Sequence, residues 1–126
     1  MNTQTTPYSA INFAEKFALF RDQWAQKVVA EMNDYQFKIA RLEGEFIWHR
    51  HADTDETFIV LEGELVIHFR DGEVTVGAGE MYVVKKGIEH KPSAARETKL
   101  LLIEPRGVLN TGDATNERTA ENDVWI

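Results

Sequence analysis

Two histidines and a glutamate stand close together in the middle of the chain, in a pattern that suits a metal ion. His49 and His51 are two residues apart in a segment that we predict to be a β-strand. Alternation puts both imidazoles on one face of such a strand, where they can form a chelating pair. Glu56 follows a turn at residues 52–55, so its carboxylate can return beside His51. Two imidazoles with a carboxylate recur as a binding set for iron, manganese, nickel and zinc.

Each of these residues also has a simpler interpretation when it is taken alone. Two histidines at this spacing arise often by chance, and Glu56 stands in a Thr-Asp-Glu-Thr context that is typical of a solvated surface. His90 follows a predicted strand that begins at Met81, and alone it would be an ordinary loop histidine. His68 has the opposite strand parity to its apolar neighbours, so we expect it to face outward and not to be a ligand.

Short strands separated by turns must position these side chains. From Lys27 onward, apolar residues alternate with polar ones, and glycines or turn dipeptides separate the runs. About eight strands follow, which favours an all-β sandwich or barrel. One of them is predicted over residues 45–51, after a break at Gly44, and the last over residues 99–103.

The N-terminal part of the chain predicts a short helix. Asn12 and Glu15 have the spacing of a capping box, with Asn in place of the usual Ser or Thr. Four aromatic residues follow at helical spacing and share one face. They are Phe13, Phe17, Phe20 and Trp24. Such a face can lie across a barrel or make a dimer contact, and both alternatives stay open.

Composition excludes several classes of partner. The chain has 126 residues, which suits one domain, and its formal net charge is -7. A nucleic-acid or anionic-membrane partner requires a basic face, so neither is expected. The chain has no cysteine, which excludes thiolate metal sites and fits a cytoplasmic location. Its first residues lack the features of a secretory signal, and no apolar run approaches the roughly 20 residues of a membrane helix.

Two motifs along the chain resemble those of the cupin superfamily. The first motif has a glycine, a His-x-His pair, a glutamate and a second glycine; here these are Gly44, His49, His51, Glu56 and Gly63. The second has a glycine, a proline, a glycine and a histidine; here the matching positions are Gly79, Lys85, Gly87 and His90.

The chain departs from these motifs at three places. The spacer between Gly44 and His49 is one residue shorter than usual, Lys85 replaces the proline, and Ala94 stands where the second motif often ends in asparagine. Neither substituted position carries a metal ligand in the family. The chain is therefore identified as a small cupin of the conserved-barrel type, similar to those called phosphomannose isomerase-like, with the resemblance covering residues 36–104.

The resemblance implies a fold and a ligand set. The fold is a jelly-roll (double-stranded β-helix) barrel, within a single domain of residues 1–126 that has a leader at residues 1–10 and a tail at residues 105–126. One divalent transition metal ion (Fe, Mn, Ni or Zn) would sit inside the barrel on His49, His51, Glu56 and His90. Small cupins are usually homodimers, and the helix, the tail and the outer sheet face are candidate contacts. The apolar residues at the end of the tail, Val124, Trp125 and Ile126, are expected to dock on another surface.

Four protein ligands leave two positions open on an octahedral metal ion, and a small molecule could bind there. By parity, Ile47, Phe58 and Val60 share the ligand face, and Phe37 and Met81 are plausible neighbours. We predict that these five residues line a substrate pocket, although each could equally be barrel core. A metal-dependent enzyme of dioxygenase or isomerase type is the first functional hypothesis. A non-catalytic module that binds a small ligand and a purely stabilising metal site are the alternatives, and no general base is evident.

Overall fold

The structure, a computed structural model, describes residues 8–126 as an antiparallel β-barrel with one short helix. The elements are α1 (Phe13–Phe17), β1 (Lys27–Met32), β2 (Tyr35–Glu45), β3 (Glu56–Glu62), β4 (Glu64–Phe69), β5 (Gly72–Gly77), β6 (Met81–Val84) and β7 (His90–Pro105). The predicted all-β jelly-roll barrel with an N-terminal helix is confirmed. Residues 1–7 of the predicted leader lie outside the described residues. Within residues 8–126, no helix has the length and apolar character needed to cross a membrane.

The long strand β7 holds the sheet together. It pairs in antiparallel fashion with β2, β3 and β4 along different parts of its length. The sheet order is β1-β2-β7-β3-β6, and β4 also pairs with β5. The sequence predicted this strand only over residues 99–103, whereas it has 16 residues and begins at His90. His90 therefore starts the central strand of the barrel and is not a loop residue.

The first histidine pair lies on irregular backbone and not on a strand. β2 does not stop at Gly44 but continues to Glu45, with a register shift beside this glycine, whose φ is +85°. The strand predicted over residues 45–51 is therefore wrong. In its place, His49 forms an isolated antiparallel bridge with His90, and this bridge brings the two motifs together.

Two apolar clusters lie on opposite faces of the sheet. The interior cluster consists of Ala40, Leu42, Phe58, Val60, Leu65, Ile67, Val76, Val84, Ala94, Leu100 and Leu102. The outer cluster consists of Phe17, Phe20, Val29, Ile39 and Leu101. Because α1 covers the outer face, β2 is buried on both sides, and its apolar residues alternate between two cores and not between core and solvent.

The helix α1 begins as predicted but is shorter. The Asn12 side chain accepts a hydrogen bond from the Glu15 backbone N–H at 3.0 Å, which confirms the predicted cap. The helix ends at Phe17, so the predicted aromatic face is only partly formed. Phe20 joins Phe17 in the outer cluster, but Trp24 takes a positive φ of 62° and packs against the interior cluster.

Arg41 links α1 to the sheet, and its replacement should lower the free energy of unfolding. Its guanidinium donates to the carbonyl oxygens of Phe17 and Phe20 at 2.8 and 3.0 Å and pairs with Glu97 at 2.7 Å. We expect Arg41→Met to lower the free energy of unfolding by about 2 kcal/mol, because the Phe17 carbonyl loses its donor and the Glu97 carboxylate loses its cation. Arg106→Met, at an exposed ion pair with Glu31, should cost less than about 1 kcal/mol. Urea titration measures both, and equal losses would contradict this role of Arg41.

The C-terminal tail folds back onto the barrel. The Val28 N–H donates to the Val124 carbonyl at 2.7 Å, and the Ile126 N–H donates to the Val28 carbonyl at 3.1 Å. Ile126 packs against the outer cluster. The end of the tail therefore docks on β1 of the same chain through its backbone and Ile126, whereas the Trp125 side chain is 48% exposed.

Candidate metal centre

Four buried side chains converge inside the barrel. His49, His51, Glu56 and His90 each offer one ligand atom, and these atoms lie within 4.8 Å of one another. The Nε2 atoms of His51 and His90 lie 3.2 and 3.4 Å from the Glu56 Oε1 atom. The arrangement can hold one metal ion with three nitrogens and one oxygen.

Backbone hydrogen bonds place the four residues. The N–H groups of His49 and His90 each donate to the other residue's carbonyl at 2.9 Å. The Gly87 N–H donates to the His51 carbonyl at 2.8 Å, which ties the second motif to the first. Glu56 is the first residue of β3 and points inward with Phe58. The site therefore depends on pairing between segments that are distant in sequence.

The orientation of two imidazoles is set by carbonyl groups. His49 Nδ1 lies 2.9 Å from the Ile47 carbonyl, and His90 Nδ1 lies 3.0 Å from the Ile88 carbonyl. Nδ1 must carry the proton to donate to these oxygens, which leaves Nε2 as the unprotonated nitrogen of a neutral ring. Carbonyl contacts of this kind orient histidines that bind metals.

The ligand atoms have no other partners, which is the observation that fits a metal ion. Within residues 8–126, His51 Nε2, Glu56 Oε1 and His90 Nε2 are buried and have no hydrogen-bond partner. Leaving a buried polar atom unpaired costs about 1–3 kcal/mol. Three such atoms that face one another would be satisfied together by one divalent cation, so the donor set fits the metal that the sequence predicts.

The pKa shifts of His49 and Glu56 also suit a cation. Burial, with the neighbouring His90, lowers the pKa of His49 to about 4, so this imidazole is neutral at neutral pH. Burial alone would raise the pKa of Glu56, but His51 and His90 outweigh it and hold the pKa well below its usual range. For His51, burial would lower the pKa, yet the adjacent Glu56 raises it. The site therefore carries an ionised carboxylate.

The fourth histidine lies apart from this group. His68 Nε2 lies 2.9 Å from the Ser93 hydroxyl, and His68 Nδ1 lies 3.4 Å from a Glu73 carboxylate oxygen. Both ring nitrogens have polar neighbours, and the side chain is part-exposed. This placement agrees with the outward orientation expected from strand parity.

A cavity adjoins the ligand set. Its volume is about 30 Å³. Its walls are mostly apolar or aromatic, and His49 and Glu56 form part of them. The remaining lining residues are Trp24, Gln26, Ala40, Leu42, Phe46, Phe58, Pro92, Leu100, Leu102 and Asn110. An apolar lining with a few polar groups is the usual composition of a small-molecule site.

The residues predicted to line the pocket are placed in different surroundings. Phe58 lines the cavity, Val60 lies in the interior cluster and Ile47 is half-buried. Phe37 packs against the outer cluster. Met81 is exposed and pairs with Ile59 across β6 and β3. Of these five residues, Phe58 lines the cavity, whereas Phe37 and Met81 lie away from it on the outer face of the sheet.

A buried ion pair beside the ligands was missed by the sequence analysis. Lys38 Nζ donates to Glu104 Oε2 at 2.8 Å, and both side chains are at most 1% exposed. Glu104 follows Ile103, which pairs with Thr57 across β7 and β3, so Glu104 lies near Glu56. Burial, together with the charge of Glu56, raises the pKa of Glu104 well above its usual range. The parity of Glu104 with Leu100 and Leu102 on β7 was the available signal.

The motifs and the fold define the class of protein. The sequence profile of the cupin domain matches residues 37–106. The chain therefore belongs to the cupin family.

Known proteins support the same conclusion. Uncharacterized protein YdbB of Bacillus subtilis (strain 168) is 39% identical over 85 residues, which cover 67% of this chain and 75% of YdbB. A cupin-2 domain containing protein from Shewanella frigidimarina NCIMB 400 has a crystal structure that matches with 62% identity and a TM-score of 0.75, over 76% of this chain and 94% of that one.

A more distant likeness shows the fold alone. Hydroquinone 1,2-dioxygenase PnpCD, solved in complex with Cd²⁺ and 4-hydroxybenzonitrile, matches with 18% identity and a TM-score of 0.64. The match covers 85% of this chain and 83% of that one.

Proposed function

We propose that this chain is a single-domain, metal-dependent enzyme that acts on a small, largely apolar organic molecule, in a reaction of the dioxygenase type. The observation that carries the proposal is the placement of the ligand set at one wall of an apolar cavity. A purely structural metal site has no need of adjoining empty space. A closed structural site would also leave no coordination position for a substrate.

Charge at the site defines which group of the substrate would face the metal ion. Three neutral imidazoles and one carboxylate would reduce the charge of a divalent ion to about +1. This charge favours an anionic oxygen, such as an enolate or a phenolate. A bound metal ion would act as a Lewis acid towards that oxygen and, if it is iron, would also permit oxygen chemistry.

The cavity lining favours this substrate class over a sugar phosphate. Among the described residues that line it, none is a lysine or an arginine. A phosphate group requires such cations or a cluster of backbone N–H groups. The isomerase alternative, as applied to sugar phosphates, is therefore disfavoured. The fold likeness to hydroquinone 1,2-dioxygenase agrees with the dioxygenase type.

Aromatic side chains would orient the substrate and exclude water. Trp24 stacks on Phe46 with ring centroids 4.9 Å apart, and Phe46 meets His49 edge-on at 5.3 Å. Phe58 meets His90 edge-on at 6.2 Å. These rings form apolar walls that suit a planar molecule. Asn110 joins two segments at the wall of the cavity, because its amide nitrogen donates to the Trp24 and Arg118 carbonyls at 3.0 Å.

Oxygen consumption tests the proposal. The chain would be stripped of metal, reloaded with Fe²⁺ or Zn²⁺, and offered β-diketones, catechols, hydroquinones and hexose phosphates in separate reactions. We expect oxygen uptake with Fe²⁺ and one of the first three classes, and none with the phosphates. Binding of these compounds without turnover under any metal would support the alternative, a non-catalytic module that binds a small ligand.

Filling the cavity distinguishes it from packed core. Ala40 and the similarly buried Ala94 both belong to the interior cluster, but Ala40 also lines the cavity, whereas Ala94 does not. We expect Ala40→Val to change the free energy of unfolding by less than about 0.5 kcal/mol, and Ala94→Val to lower it by about 1–3 kcal/mol through overpacking. Ala40→Val should also reduce substrate turnover. Thermal unfolding measures the contrast, and equal losses in both variants would mean that the cavity is not available space.

We also propose that the chain forms a homodimer through the outer sheet face. Met81 is 57% exposed and lies beside the half-buried Ile59, while the half-buried Phe37 lies on the same face. An exposed apolar patch of this kind is typical of an interface. Light scattering at micromolar concentration would contradict this proposal if it gave the mass of a monomer.

The expected cytoplasmic location stays a prediction.

A further inference from the structure

The contact between His49 and His90 is narrow for a pairing on which a metal centre depends. It consists of two backbone hydrogen bonds, one in each direction, and forms an isolated bridge. The backbone around His49 is irregular, so a continuous ladder does not support the contact. Two strands that pair alone are marginally stable at best in water. The register of the two histidines therefore depends on the contacts that surround them.

Arg70 lies beside this contact, on the exposed side of the barrel wall. Phe69, the last residue of β4, pairs with His90, so the next residue, Arg70, comes beside Glu89. The Nε and Nη2 atoms of Arg70 donate to the two carboxylate oxygens of Glu89 at 2.8 and 3.1 Å. Arg70 and Glu89 are exposed, whereas His90 is fully buried. The pair therefore covers the start of β7 from outside.

The same guanidinium lies on the ring of Trp48. The Arg70 Cζ atom is 3.7 Å from the ring centroid, which is the distance of direct stacking. Trp48 immediately precedes His49, and Glu89 immediately precedes His90. One side chain thus binds the residue before each of the two bridged histidines.

This arrangement differs from an ordinary surface ion pair. An exposed pair such as that of Arg70 and Glu89 would contribute little by itself. Here both sides of the guanidinium fork are bound and its face is covered by the indole, so the planar group is fixed. Lys91 lies 5.8 Å from the same ring and pairs with Glu45, but an ammonium group cannot form such a stack.

We propose that Arg70 is a positioning residue of the candidate metal centre, which holds His49 and His90 in register by joining Trp48 to Glu89. This inference rests on the proposed metal centre. A shift of one segment along the other would move one imidazole relative to the other, and the metal ion would lose its coordination geometry. The competing explanation is a surface contact that supports the fold without influencing the metal ion.

Two variants that remove the two halves of this contact test the proposal, with Co²⁺ as the probe. We expect Arg70→Met and Trp48→Leu each to weaken Co²⁺ binding about 5- to 10-fold and to alter the visible absorption of the bound ion. The double variant should lose no more than either single variant, because both substitutions break one contact. Trp48→Phe, which keeps an aromatic face for the guanidinium, should remain near the wild type.

The matched control is Arg106→Met. Arg106 also binds a carboxylate through two nitrogens, each 3.0 Å from an oxygen of Glu31, but this pair joins β1 to the residue after β7. Its loss should leave the Co²⁺ affinity and spectrum unchanged, and circular dichroism of the metal-free proteins verifies that each variant folds.

Two results would overturn the positioning role alone. One is a wild-type Co²⁺ affinity and spectrum in Arg70→Met. The other is a double variant in which the losses of Arg70→Met and Trp48→Leu multiply. A wild-type protein that binds no Co²⁺ would overturn the metal centre as well.

Discussion

Replacing His90 by alanine should abolish high-affinity metal binding. His90 has no solvent exposure, and its Nε2 atom has no partner among the described residues other than the facing Glu56 carboxylate oxygen at 3.4 Å. Loss of a direct ligand should exceed the roughly 100-fold upper range for outer-shell changes. Competition of Zn²⁺ with a chromophoric chelator measures this loss, and His51→Ala should behave in the same way.

The matched control is His68→Ala. Its ring nitrogens face Ser93 and Glu73 and not the cluster of ligands. We expect its Zn²⁺ affinity to equal that of the wild type. Full metal binding by His90→Ala, or a loss in His68→Ala, would show that the ligand assignment is wrong.

A methyl group at Gly112 should damage both the fold and the metal centre. A Cβ atom there would overlap the Arg50 carbonyl oxygen and lie 2.9 Å from its carbon, and it would also press on the His51 ring, 3.3 Å from Nδ1. The contacts with Arg50 are with backbone atoms, which cannot move aside cheaply. We expect Gly112→Ala to lower the free energy of unfolding by about 2–4 kcal/mol and to weaken metal binding, because His51 must shift.

Gly107→Ala separates this clash from backbone strain. Both glycines have a positive φ, +63° at Gly112 and +91° at Gly107, but open space surrounds the position of the missing Cβ of Gly107. Its cost should be limited to strain, of about 1–3 kcal/mol, with no effect on Zn²⁺ affinity. Urea unfolding and chelator competition measure both variants. If Gly112→Ala bound Zn²⁺ like the wild type, the tail would not support the position of His51.

The metal motif could be predicted from sequence because cupin motifs fix residue types at defined intervals. The local structure of the first motif, around His49 and His51, could not be predicted in this way. The alternation around His49 and His51 suggested a strand, but the backbone there is irregular and gains its order from the long-range bridge with His90. Pairing between segments that are distant in the sequence does not produce a periodic apolar pattern in either segment.

The pocket was harder to predict because β2 is buried on both faces. Apolar alternation normally distinguishes a core face from a solvent face. Here Phe37 and Ile39 face the layer formed by α1, while Gln36 and Lys38 are fully buried, with Lys38 reaching Glu104 inside the barrel. In the sequence, Lys38 is interpreted as a solvated surface residue, because its buried partner Glu104 cannot be recognised there. The position of Asn110 at the cavity wall could not be predicted either, because the tail has no periodic pattern of apolar residues.

Metal content is the measurement that tests the central claim most directly. The wild-type protein would be purified without chelators, exposed in parallel to Fe²⁺, Mn²⁺, Ni²⁺ and Zn²⁺, desalted, and analysed by inductively coupled plasma mass spectrometry. The arrangement of His49, His51, Glu56 and His90 predicts one tightly held divalent ion per chain for at least one of these metals. A protein that is folded and retains none of them after desalting would contradict the account.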